Sequence, residues 1–182
     1  AAGDPDPRVR VAAIDGLGAM KDDDGVPLLA KALGDRDESV RAAAASALAK
    51  IGKGDLRGFA QHALNDEAVA VRVAGADLLG AAGDTTALAE LAKDADPIVA
   101  LEAVIVWNRV AARKGIAGRA AAAGPQPGVL AEQRALASPR WETRAGGLNM
   151  LAQVVGDGSE ALALARPLAK DPDVRVRLAA AR

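Results

Sequence analysis

The sequence predicts an all-α fold, a stack of helix pairs in which no pair holds a complete hydrophobic core of its own. Three observations lead there. A unit of the form Asp-x-x-x-x-Val-Arg-x-x-Ala-Ala recurs along the chain. Within each copy the apolar residues fall at helical spacing, not the alternation of a strand. Finally, 46 of the 182 residues are alanine, and the only aromatic residues are Phe59, Trp107 and Trp141. Alanine is the best helix former. A core with so few rings has to be assembled from many close contacts between small side chains.

The copies set the order of the elements. The motif reads Asp4 to Ala13, Asp35 to Ala44, Asp66 to Gly75 and Asp171 to Ala180, with degenerate copies at Asp94 to Ala103 and Ser138 to Gly147. The arginine position falls at 10, 41, 72, 100, 144 and 177, so successive copies lie 31, 31, 28, 44 and 33 residues apart. Each copy begins a long helix. An Asp or Ser stands before the first turn, where a side-chain oxygen can cap free N–H groups. Proline often follows (Pro5, Pro97, Pro139, Pro172), where its missing N–H is harmless. In the second copy Val40, Ala43, Ala44, Ala47, Leu48 and Ile51 make one helix face, and in the third Val71, Ala74, Gly75, Leu78, Leu79 and Ala82 do the same. Gly52-Lys-Gly54-Asp55 and Gly83-Asp84 end those helices. A shorter apolar helix leads into every later copy, at residues 26–33, 56–64, 86–92, 129–137 and 161–169. The expected architecture is therefore one leading helix and about five helix pairs, each covering the open face of its neighbour.

The short helix, the acidic turn and Val-Arg-x-x-Ala-Ala-x-x-Leu resemble HEAT repeats, in the shorter form named after phycobilisome bilin lyases. The resemblance spans nearly the whole chain apart from about residues 114–127, and it implies a single repeat domain over 1–182, a right-handed α-solenoid. It also implies that the Val-Arg helices line the concave side. Arg10, Arg41, Arg72, Arg144 and Arg177 would then form a ladder with turn acids such as Asp4, Asp35, Asp66 and Asp171. Two positions depart from that pattern: Ala100 replaces the arginine of the fourth copy, and Ser138 replaces the acid of the fifth.

These departures flank the one long irregular stretch. Its Gly/Pro content marks 114–127 as an insertion or linker, and it accounts for the 44-residue spacing. From Ala103 to Ala131 there are four basic residues, Arg109, Arg113, Lys114 and Arg119, and no acid. Trp107 and Trp141 stand on either side. The region reads as a basic, tryptophan-flanked docking site or as a solvated linker, with Trp107 in the slot that Leu48 fills. Superposed on the second copy, Leu101, Val104 and Ile105 replace Ala42, Ala45 and Ser46, positions expected to face away from the core. They offer an apolar patch for a partner helix or a surface for the insertion to cover. At the Ser46 position other copies carry Asp15, Asp77 and Asn149, a candidate polar stripe on the inner face.

The remaining arithmetic excludes chemistry. The chain has 23 Lys and Arg against 24 Asp and Glu, so it lacks the basic excess of a phosphate-binding protein. No cysteine is present, which removes disulfides, thiolate catalysis and cysteine-held metals. A single histidine, His62, cannot supply a histidine-rich metal centre. Asp22-Asp23-Asp24-Gly25 lacks the alternation of a calcium loop and reads as a helix start. No apolar run reaches the roughly 18–20 residues of a membrane span, and no signal peptide is visible. The abrupt start, and an end inside the helix from Val174, suggest a piece of a longer protein. These features predict a non-catalytic scaffold that needs no cofactor and takes a protein or peptide through its concave face and the 103–141 region. Nucleic acid and membrane are not expected partners. The alternatives are a bilin-handling protein or a structural spacer.

Overall fold

In the computed structural model, residues 2–115, 129–154 and 158–181 are described, and among them every regular element is a helix. The leading helix α1 is Pro7–Met20. It is followed by the pairs α2 (Val26–Ala32) with α3 (Glu38–Ile51), α4 (Leu56–Leu64) with α5 (Val69–Ala82), and α6 (Thr85–Leu91) with α7 (Pro97–Arg113). Two further pairs are α8 (Val129–Leu136) with α9 (Trp141–Val154) and α10 (Gly158–Ala165) with α11 (Val174–Ala180). This is the all-α, solenoid-type order of helices expected from the repeat. None of the described helices is long and apolar enough to cross a membrane.

The caps divide the work of the Asp-x-Asp turn between its two acids. The second acid is the N-cap: Asp6, Asp37, Asp96 and Asp173 accept from the backbone N–H groups of Arg8, Ser39, Ile98 and Arg175. The first acid folds the turn itself. Asp4, Asp35, Asp66, Asp94 and Asp171 accept from the N–H two residues on, at 2.7–2.9 Å. Helix α3 ends at Gly52 with φ 70° and α5 at Gly83 with φ 67°, in the left-handed region where glycine carries no Cβ penalty. The final short helix departs from the expected 161–169. It stops at Ala165 and continues as a 3-10 turn over Arg166–Lys170, because the ring of Pro167 cannot be accommodated inside an α-helix.

The chain forms two compact units, Ala1–Leu88 and Ala89–Arg182. In the first, α3 packs against both α1 and α5, while α2 covers α3 and α4 covers α5. Because α3 is flanked on two sides and covered on a third, Ala44, Ala45 and Ala47 are all buried. Ala45 was expected on an outward face, and the second flanking helix is the reason it is not. Gly18 in α1 marks how close the helices come: a Cβ there would lie 2.9 Å from Ala47 Cβ and 3.0 Å from its Cα. In the second unit α7 packs on α8 and α9, and α9 also meets α10 and α11. A Cβ on Gly147 in α9 would sit 2.8 Å from Ala135 Cβ in α8.

Two alanine substitutions one turn-fraction apart should therefore act in opposite directions. Gly16→Ala meets nothing within 4 Å and should raise stability by about 0.5–1 kcal/mol through helix propensity. Gly18→Ala should lower it by about 1–2 kcal/mol, because overpacking against a neighbouring backbone outweighs that gain. Urea unfolding followed by circular dichroism measures both.

Candidate functional site

The polar machinery of the fold is a series of arginine clamps. Arg10 donates from Nε and Nη2 to Oδ2 and Oδ1 of Asp35, at 2.9 and 2.7 Å, and from Nη1 to the carbonyls of Asp4 and Pro5. Arg41 repeats this on Asp66, at 2.6 and 2.9 Å, and its Nη1 reaches the Asp35 carbonyl. Arg144 repeats it on Asp171, at 2.8 and 2.9 Å, with Nη1 on the carbonyls of Ser138 and Pro139. Each guanidinium thus holds the carbonyls of its own turn and the carboxylate of the following one. A planar fork with five N–H donors suits this double duty, and an ammonium group does not. Arg72 and Arg177 make the same carbonyl contacts, to Asp66 and Glu67 and to Asp171 and Pro172.

This register explains the two irregular copies together. Since an arginine pairs with the acid of the next turn, Ala100 and Ser138 occupy the two ends of one missing bond. The loss is repaired from another element: Arg134 of α8 donates from Nη2 to the carbonyls of Asp94 and Ala95, the turn carbonyls a ladder arginine would have held. Nothing in the repeat pattern marks Arg134; its spacing from α7 is set by the packing of α8. Arg57, bonded through Nε to Asp84 Oδ2 at 2.9 Å, is likewise outside the repeat motif.

The clamps set the charge state of the acids. Hydrogen bonding to Arg10, Arg41 and Arg144 lowers the pKa of Asp35, Asp66 and Asp171 below the ordinary aspartate range. Asp173, held by Arg175, is lowered to about 2.

The expected binding residues are distributed very differently from one another. Leu101, Val104 and Ile105 do not form an outward patch: they are 1%, 1% and 6% exposed. With Ala100 and Ala135 they make one buried cluster, on which Ala92, Ile98 and Met150 pack. The outward reading fails because α8 and α9 both pack on α7 and cover these side chains. Trp107 is buried too, as in the core reading of its position. Trp141 is half-buried, and the Arg175 guanidinium lies over its ring, 3.3 Å from the centroid, while also holding Asp173. Asp15 is exposed and Ser46 and Asp77 are half-buried, at one and the same repeat position of α1, α3 and α5 in the first unit. Asn149 is exposed on α9 in the second unit. Arg109, Arg113 and Lys114 are exposed at the end of α7, where positive charge also complements the helix dipole. Arg119 and the insertion from residue 116 onward lie outside the described residues. His62 is exposed.

Removing Arg41 should leave the Asp66 carboxylate without its guanidinium, and Arg41→Ala should lose about 2–4 kcal/mol in urea unfolding. Because the folded pKa values of the clamped acids are depressed, their contribution to stability is complete above the unfolded aspartate value and is lost as pH falls through the lower folded values. Stability should accordingly be level from about pH 7 to pH 5 and fall below about pH 4. Arg41→Ala should show a shallower acid slope than the parent chain, since the guanidinium that contributes most to lowering the Asp66 carboxyl is then gone.

Residues 1–57 match the family model described as HEAT repeats. No curated protein matches the chain. Among solved structures, the chain is similar to an engineered protein whose crystal structure was a structural-genomics target, at 19% identity and a TM-score of 0.45, with 99% of this chain and 90% of that one covered. It is also similar to a designed armadillo repeat protein, at 15% identity and a TM-score of 0.39, over 98% of this chain and 93% of that one. Residues 1–57 are thus similar to HEAT repeats, and the clamp found there recurs at Arg144 and Asp171.

Proposed function

We propose that this chain is a non-catalytic scaffold that binds a protein or peptide along the surface of α1, α3 and α5. The observation that carries the reading is the set Asp15, Ser46 and Asp77, which occupy the same repeat position of successive long helices and are exposed or half-buried. Half-buried Val11, Ala42 and Val73 stand one turn before them and give the set an apolar margin. Packed helices lie about 8–10 Å apart, and an extended peptide advances about 3.4 Å per residue. Every third residue of such a peptide therefore meets the next helix. Two carboxylates and a hydroxyl favour a peptide that offers N–H donors or basic side chains.

The ladder supports a binding role by contrast. Its arginines and aspartates are engaged in holding turns together, so the titratable groups that lie closest to one another serve the framework. The exposed end of α7, with Arg109, Arg113 and Lys114 leading into the insertion, offers a second contact region suited to acidic groups.

Affinity capture from an extract of the source cells, followed by binding measurements with the purified partner, tests the reading. Asp15→Arg should weaken partner binding at least about tenfold, with the helical signal and melting transition retained. An Arg109→Glu, Arg113→Glu, Lys114→Glu variant shows whether the second region contributes. A partner whose affinity is unchanged by both variants, or capture of no protein at all, would sink the proposal.

A further inference from the structure

A cavity of about 350 Å³ opens beside α4, and every residue that lines it belongs to the first unit. That volume falls within the roughly 300–1,000 Å³ typical of ligand clefts. Its floor is apolar, made by Leu79 of α5, which is 5% exposed, and half-buried Ala87 of α6. Its rim is polar. Arg57, Gln61 and Asn65, all exposed, stand at four-residue steps along one stripe of α4.

The repeat explains the space. Counted back from the turn acids Asp35, Asp66 and Asp94, Val26 and Arg57 hold one position in their short helices, and Phe59 and Ala87 hold another. One repeat earlier these places are filled: a Cβ on Gly54 would lie 3.1 Å from Val26 Cγ1 and 3.2 Å from Phe59 Cε2, so ring and aliphatic side chain meet over that turn. Beside α6 the aliphatic residue is replaced by the exposed Arg57, and the ring is reduced to the methyl group of Ala87. The chain supplies an aromatic ring at the first junction and leaves room for one at the second.

The rim complements a peptide that carries an acid. Asp84 Oδ1 accepts from the Ala87 N–H at 3.0 Å, and its Oδ2 lies 2.9 Å from Arg57 Nε. Asp84 thereby fixes the guanidinium, and among the described residues no second carboxylate pairs with it. A fork with five N–H donors can hold a further carboxylate while keeping the first. Gln61 and Asn65 lie one helical turn apart, about 5–6 Å between Cβ atoms. Two residues of an extended chain span a similar distance, about 6.8 Å. Carboxamides both donate and accept, which suits the main chain of such a segment.

We propose that this cavity takes an aromatic side chain from an extended segment of a partner protein, with a neighbouring Asp or Glu of that segment on Arg57. The ring takes the place that Phe59 fills one repeat earlier, Gln61 and Asn65 bond the segment's main chain, and Arg57 selects against a basic neighbour. None of these residues belongs to the set Asp15, Ser46 and Asp77, so failure at one surface leaves the other standing.

Panning a random-peptide phage library on the 1–182 chain tests the proposal. Enriched peptides should share an aromatic residue with an Asp or Glu close beside it. A selected peptide should shift the amide resonances of Gln61, Asn65 and Ala87 in the isotope-labelled chain. Ala87→Phe, which supplies the missing ring from the chain itself, should weaken that peptide at least about tenfold, with the melting transition retained. Arg57→Glu, a change at an exposed position, should weaken it as much and should matter less for the same peptide with its acid replaced by Ser. Enriched peptides without an aromatic residue, shifts confined to other helices, or affinity indifferent to both variants would overturn the proposal. Hydrocinnamate saturating the same resonances while no peptide is selected would overturn it as well, in favour of a small aromatic acid.

Discussion

A guanidinium that reaches in two directions is the interaction on which the order of this structure depends. Hydrophobic burial drives the helices together but is indifferent to register, since one alanine-rich stripe slides over another with little change in buried area. The arginine clamp removes that freedom. Arg10, Arg41 and Arg144 each hold two fixed points, the carbonyls of their own turn and a carboxylate of the next. The carboxylate is itself anchored by the N–H two residues on, so the clamp closes on a rigid target and loses little side-chain entropy in doing so. Burial of these groups is tolerable because every bond they need is made locally.

The second constraint is alanine. A helix whose core-facing residues are mostly alanine gains little from contact on one side, so it has to be approached closely and on several sides. Gly18 against Ala47, Gly75 against Leu64 and Gly147 against Ala135 are where that approach is tightest. The same constraint explains the fourth long helix. Where the clamp is absent at Ala100, the helix carries Leu101, Val104 and Ile105 instead, and α8 and α9 bury them. Arg134 then satisfies the turn carbonyls from outside the motif. The unit exchanges a directional polar join for a larger apolar one.

What these demands leave over is the surface available for function. Acids of the turns, arginines of the long helices and both tryptophans are taken up by the framework, one tryptophan inside it and the other beneath Arg175. The long helices also carry polar side chains outside the clamp, at one repeat position in successive copies. A surface of that kind discriminates by the sequence of small polar groups along it and not by a single deep pocket, which is the physical basis for reading Asp15, Ser46 and Asp77 together.

Helix order, the boundaries of most helices and the clamp residues Arg10, Asp35, Arg41, Asp66, Arg144 and Asp171 were legible in the sequence, because they depend on local periodicity, capping and a motif repeated in register. The pairing rule was not. Nothing in the motif says whether Arg10 meets the acid of its own turn or of the next, since the choice rests on how far neighbouring turns stand apart once packed. Nor could the sequence tell that Leu101, Val104 and Ile105 are covered, because an apolar residue on a helix looks the same whether or not a second helix flanks it. Those matters were decided by tertiary packing, which alone specifies how many sides of a helix are closed to water.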